Sequence, residues 1–138
     1  MSNPGPAVTN NPHPSNLSTN QAIRLLTVAK GVNLNAVGDT VLPILNATTY
    51  SVSNAILTNV SVNLTTAEIG IFTGPTASGT TIRANAVSTA NSASTVVAQL
   101  ATVVTTAVTS QNLYLYTSVA QGAAATGDLY IYGYDLSS

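Results

Sequence analysis

Charge is what this chain has least of. Three Lys and Arg and four Asp and Glu carry all of its side-chain charge, so about one residue in twenty is charged, where a soluble domain typically has about one in four. The seven are Arg24, Lys30, Asp39, Glu68, Arg83, Asp128 and Asp135. With a net charge of −1, neither nucleic acid nor an anionic membrane is an expected partner, since both attract clustered Lys and Arg. Cysteine is absent, which excludes a disulfide framework, a thiolate metal site and a thiol nucleophile. Long apolar runs are missing too. The most apolar stretch, 95–108, is interrupted by Gln99, Thr102, Thr105 and Thr106 and is shorter than the ~18 residues a membrane helix needs. The opening residues 1–6 carry no basic region and no apolar core of a secretory signal. The expectation is therefore a soluble chain made in a cytoplasm.

The scarcity of titratable groups also counts against catalysis. His13 is the lone histidine and lies between Pro12 and Pro14, where nothing pre-organises it for a Ser-His-Asp arrangement. Asp128 and Asp135 flank one expected strand, roughly 23 Å apart at strand rise, too far to act as a glycosidase pair. Gly74 and Gly79 have the spacing of the outer glycines of a phosphate loop, but Thr80 and Thr81 follow where its Lys would stand. A hairpin turn is the better reading. Asn-x-Ser/Thr triplets at Asn16, Asn46, Asn59 and Asn63 are expected by chance in so Asn-, Ser- and Thr-rich a chain. The expectation is no catalytic residue, no cofactor and no metal.

What the chain does have is β-branched and aromatic residues. Val, Ile, Thr and Tyr suit a pleated, half-buried surface, and Gly, Pro, Asn and Asp punctuate them. Strands are expected near 23–30, 40–45, 50–60, 67–74, 80–87, 95–104, 112–119 and 127–135. The stretch 85–104 has helix-compatible Ala spacing, but its Thr95, Val96, Val97, Val103 and Val104 favour a strand. The predicted fold is all-β: a jelly-roll-like antiparallel β-sandwich of about eight strands. At 138 residues it forms one domain, 21–138. Residues 1–20 precede it as an extended or disordered arm, holding four of the six prolines, Pro4, Pro6, Pro12 and Pro14.

Period-two alternation is clearest at the end. In 112–119, Leu113, Leu115, Thr117 and Val119 share one face, while Tyr114, Tyr116 and Ser118 share the other. In 128–135, Leu129 and Ile131 oppose Tyr130, Tyr132 and Tyr134. The small, flexible 119–127 suggests that the two strands form a hairpin, with five of the six tyrosines on its outward face. Three roles are open for these rings. They are simply exposed β-formers, a sugar-stacking platform, or a protein–protein interface, where Tyr is enriched.

The segments Leu25 to Thr40 and Tyr116 to Leu136 carry a resemblance over 22–136 to the small capsid decoration, or cement, proteins of tailed bacteriophages. The resemblance implies a jelly-roll homotrimer on the outer surface of a phage head, a virion protein that binds the major capsid protein and stabilises the shell. It makes the arm, with Pro4, Pro6, Pro12, His13 and Pro14, a candidate capsid-binding element. The alternative is a glycan-binding module of a phage fibre or a jelly-roll lectin.

Overall fold

A computed structural model describes residues 23–87, 97–100 and 106–137. Eight strands and no helix occur among the described residues: β1 (Arg24–Asn33), β2 (Gly38–Pro43), β3 (Tyr50–Thr58), β4 (Glu68–Gly74), β5 (Ser78–Val87), β6 (Val97–Leu100), β7 (Asn112–Val119) and β8 (Thr126–Asp135). They lie where the alternation and the turn residues place them. Of the expected strand over 95–104, 97–100 form β6, and 95–96 and 101–104 fall outside the described residues.

The strands form two four-stranded sheets, ordered β1-β8-β3-β6 and β2-β7-β4-β5. All described pairings are antiparallel. Between the sheets lies the core. Leu26, Leu42, Leu57, Ile69, Ile71, Ile82, Leu113, Leu115 and Leu129 are all fully buried. Each such side chain adds about 1.5–3 kcal/mol on leaving water. The fold is therefore an all-β sandwich, as the residue pattern predicts.

One expectation fails. β7 and β8 do not form a hairpin: β7 pairs with β2 and β4, whereas β8 pairs with β1 and β3 in the other sheet. The residues between them cross from sheet to sheet and are pinned on the way. Gln121 N donates to Leu34 O at 2.8 Å, and Leu34 N donates to Ala125 O at 2.8 Å. The Gln121 side chain is buried. Its Oε1 accepts the amides of Thr65, Thr66 and Ala67 at 3.1, 3.1 and 3.2 Å. A buried carboxamide that meets three successive amides holds the 61–67 loop against the crossover, because orphaned amides would be costly there.

β4 and β5 do form the hairpin expected around Gly74 and Gly79. Thr76 and Ala77 have φ of 55° and 58°, and Ser78 N donates to Pro75 O at 3.2 Å. Two left-handed residues closed by such a bond make a type I′ turn, the hand that suits twisted strands. The Thr76 amide also donates to both Asp39 carboxylate oxygens at 3.0 Å, which ties the hairpin tip to β2 on the far side of β7.

Candidate interaction surfaces

Alternation along β7 and β8 decides which side chains can meet a partner. Leu113, Leu115, Leu129 and Ile131 face inward and are fully buried; Tyr114, Tyr116, Tyr130, Tyr132 and Tyr134 face outward and are half-buried. Because the two strands belong to different sheets, the five rings do not make one surface. Tyr130, Tyr132 and Tyr134 lie on one outer face of the sandwich, and Tyr114 and Tyr116 on the opposite one. The outward direction was legible in the sequence. The shared face was not, since a period of two reports which way a side chain points but not which sheet its strand joins.

On the three-tyrosine face, Tyr132 stands between Leu25 of β1 and Asn54 of β3, Tyr130 between Val28 and Ile56, and Tyr134 beside Ser51. No charged residue is a cross-strand partner of these rings. Charge is confined to the margins. At one end Asp128 accepts from Gly31 N at 2.8 Å and from Asn59 Nδ2 at 3.2 Å. These two bonds, the Gly31 amide first, hold its carboxyl below the usual carboxylate range. At the other end Asp135 turns inward, where it meets Arg24. What is left is a stripe of aromatic and aliphatic side chains edged by hydroxyls and amides. On the inward side of β8, a Cβ on Gly133 would collide with Ser51 O and stand 2.8 Å from the Leu26 side chain.

On the opposite face, Tyr114 stands between Val41 of β2 and Phe72 of β4, and Tyr116 between Asp39 and Gly70. Val41 is half exposed and Phe72 is buried. A Cβ on Gly70 would come 2.5 Å from Asn85 Oδ1 and 2.9 Å from Arg83 O, so that position admits no side chain. Arg83 withdraws its charge from this face. Its guanidinium is buried and donates to the carbonyls of Ile69 and Ala84, and burial lowers its pKa.

Three of the four carboxylates serve as pins. Asp39 holds the hairpin tip, Asp128 holds Gly31 and Asn59, and Asp135 holds Arg24 and Ser137. Among the described residues no three His, Cys, Asp or Glu side chains gather closely enough to hold a metal ion. A cleft of about 190 Å³ is lined chiefly by hydroxyls, from Thr73, Thr80, Thr106, Thr109 and Ser110. Sequence reasoning missed this cleft, because its walls come from β4, β5 and the segment before β7. Pro4, Pro6, Pro12, His13 and Pro14 lie outside the described residues.

No family model, curated protein or solved structure matches the chain.

Proposed function

We propose that this protein is a structural subunit of a bacteriophage head, a decoration protein that binds the outer surface of the shell as a homotrimer and braces it. The observation that carries the reading is the placement of tyrosines on both outer faces of one sandwich, with no charged cross-strand partner on the three-tyrosine face and Asp39 as the one charged cross-strand partner on the other. A subunit of that kind has one face for a second copy and another for the major capsid protein. Tyrosine suits such contacts because it adds large area at small entropic cost while its hydroxyl still hydrogen-bonds. A trimer adds its three shell contacts as avidity, so each contact can be weak.

The strand pairings support a jelly roll. β1 pairs with β8, β2 with β7, β3 with β6 and β4 with β5, the pattern of one long hairpin of four strand pairs rolled into two sheets. That is the architecture the resemblance to decoration proteins implies.

Mass photometry of the purified protein, followed by co-sedimentation with expanded heads of its own phage, tests the reading. A trimer is expected, and binding should change little between low and high salt, because few charges are available to be screened. A protein that stays monomeric and leaves the heads bare would overturn it.

The hydroxyl-lined cleft and the tyrosine rings favour a second reading, a glycan-binding module. Aromatic faces and hydroxyls together suit sugar rings. It predicts saturable sugar binding that weakens on Tyr132→Ala or Tyr116→Ala, and a flat response on a broad glycan array would count against it.

A further inference from the structure

Four strands end the two sheets: β1 and β6 in one, β2 and β5 in the other. Edge strands invite pairing with another chain unless they are short, bulged or covered. β1 breaks register twice against β8, and β5 breaks register three times against β4; bulges of this kind twist an edge away from a flat neighbour. β2 keeps an unbroken register with β7 from Gly38 to Pro43. Among the described residues no strand pairs on its other side.

That other side can be read residue by residue. Ile44 N donates to Gln111 O at 3.0 Å, continuing the register in which Pro43 faces Asn112. Alternate residues of a strand aim their backbone groups to the same side, so Leu42 and Thr40 address β7 as Ile44 does. Asp39, Val41 and Pro43 address the edge. The edge closes at Leu45, whose N–H donates to Leu26 O of β1 at 2.8 Å. The open stretch is therefore 39–43. It offers the amides of Asp39 and Val41 and the carbonyls of Asp39, Val41 and Pro43, whose missing N–H suits an edge.

A second copy of β2 fits this stretch in one register. Run antiparallel about a two-fold axis through Val41, 39–43 of one molecule covers 39–43 of the other from end to end. Val41 exchanges both backbone bonds with its counterpart, and Asp39 N–H donates to the Pro43 carbonyl of the second copy. The bonds left out are those that proline cannot give. A shift of two residues either way brings into the ladder Leu45, whose amide is taken, or Val37, which precedes the strand.

The side chains agree with that register. Phe72 stands opposite Tyr114, and Tyr114 opposite Val41. This cross-strand row stops at the edge, where Val41 is 51% exposed. The axis sets a second Val41 directly beyond the first and continues the row through the other molecule's tyrosine and phenylalanine. Apolar cross-strand pairs of this kind stabilise a sheet. Charge does not oppose the pairing. Asp39 falls opposite Pro43, and the two Asp39 residues are about 13 Å apart along the strands, beyond the Debye length of about 8 Å at physiological salt.

We propose that β2 of one molecule pairs with β2 of a second copy about this axis, joining two four-stranded sheets into one of eight strands. The contact is isologous, with the same patch on both partners. Being two-fold, it is separate from the three-fold contact of a trimer and does not depend on it. In the capsid reading it ties one trimer to the next, because neighbouring three-fold positions on an icosahedral shell are related by two-fold axes.

The chain has no cysteine, so a single introduced thiol can link only to its own copy. Across a hydrogen-bonded antiparallel pair the Cα atoms stand about 5.5 Å apart, within the range a disulfide spans. Val41→Cys should form a covalent dimer under mild oxidation at least about tenfold faster than Asp39→Cys or Pro43→Cys, whose thiols lie about 13 Å from their copies. Mixing those last two variants should restore fast linking between them. Val41→Lys sets two ammonium groups face to face and should weaken concentration-dependent pairing, read by sedimentation velocity, at least about tenfold. Linking of Val41→Cys no faster than of the other two overturns the proposal, as does pairing that Val41→Lys leaves unchanged. Both measurements use the free protein, so their outcome is distinct from that of binding to phage heads.

Discussion

Arg24 Nη1 and Asp135 Oδ2 meet at 3.0 Å, where the first strand of the sandwich lies beside the last. The contact joins more than two side chains. Arg24 also donates to Leu45 O and Asn46 O, while Ser137 N donates to Asp135 Oδ1 at 2.9 Å. Burial pushes the Asp135 carboxyl upward, but the bonds from Ser137 and the Arg24 guanidinium outweigh it and hold the group below its usual value. A depressed carboxylate stabilises the fold above its unfolded pKa and loses that contribution as pH falls through the folded one. Urea midpoints measured from pH 6 to pH 2 should therefore drop below about pH 4, and the drop should be shallower in Asp135→Asn. Arg24→Ala leaves the buried carboxylate without its cation and should cost about 1–3 kcal/mol at pH 7.

Tyr50 governs the alkaline side. Its ring is fully buried, its hydroxyl donates to Ser110 O at 2.5 Å, and burial pushes its pKa up to about 12. The unfolded phenol ionises near pH 10, so its contribution is complete below that pH and is lost as pH rises toward the folded value. The loss has a slope of up to about 1.4 kcal/mol per pH unit. Tyr50→Phe should cost about 1 kcal/mol at pH 7 and flatten this alkaline decline, as denaturant titrations between pH 9 and pH 12 will read.

A pair of glycines separates crowded backbone from open backbone. Gly133→Ala would drive a methyl into Ser51 O and the Leu26 side chain, at a cost of about 3 kcal/mol or more. Gly122 has nothing within 4 Å of the same added atom. Gly122→Ala should be neutral, or stabilise by up to about 1 kcal/mol through the unfolded chain. Thermal midpoints of the two variants should move in clearly different ways.

Thr27 offers a stabilising change. Its side chain is buried, and its hydroxyl finds no hydrogen-bond partner. Thr27→Val keeps the shape and removes the unsatisfied group, which should raise stability by about 1 kcal/mol. A lower urea midpoint would mean that the hydroxyl is satisfied by water.

The β4–β5 turn offers another. Thr76 and Ala77 hold left-handed conformations that are unfavourable for a β-branched residue above all, and a type I′ turn prefers Asn-Gly. The double change Thr76→Asn, Ala77→Gly should stabilise by about 1–2 kcal/mol. Calorimetry should show the gain without any change in the β signal of circular dichroism.

Strands were legible because period two and punctuation are local. The alternation of Leu and Tyr in 112–119 and 128–135 gave both strands and their inward faces. Gly74 and Gly79 marked the hairpin. What could not be read was partnership over distance. Nothing near Gln121 announces that it meets the amides of Thr65, Thr66 and Ala67, or that this contact turns an apparent hairpin loop into a crossover. The tyrosines were therefore assigned to the right side of their strands and to the wrong common surface. Arg24 and Asp135 likewise show no sign in the sequence of their ion pair, because both sit next to ordinary strand residues.

β8 lies in the interior of its sheet, between β1 and β3, yet it is the last of these strands to be synthesised. Until Thr126–Asp135 has emerged, β1 and β3 have no common neighbour and half of the core lacks its floor. Among the described pairings only β4–β5 joins strands through a tight turn; the others must first close long loops, a topology associated with folding in milliseconds to seconds. A nascent chain halted just before Thr126 would thus lack the strand that joins β1 to β3.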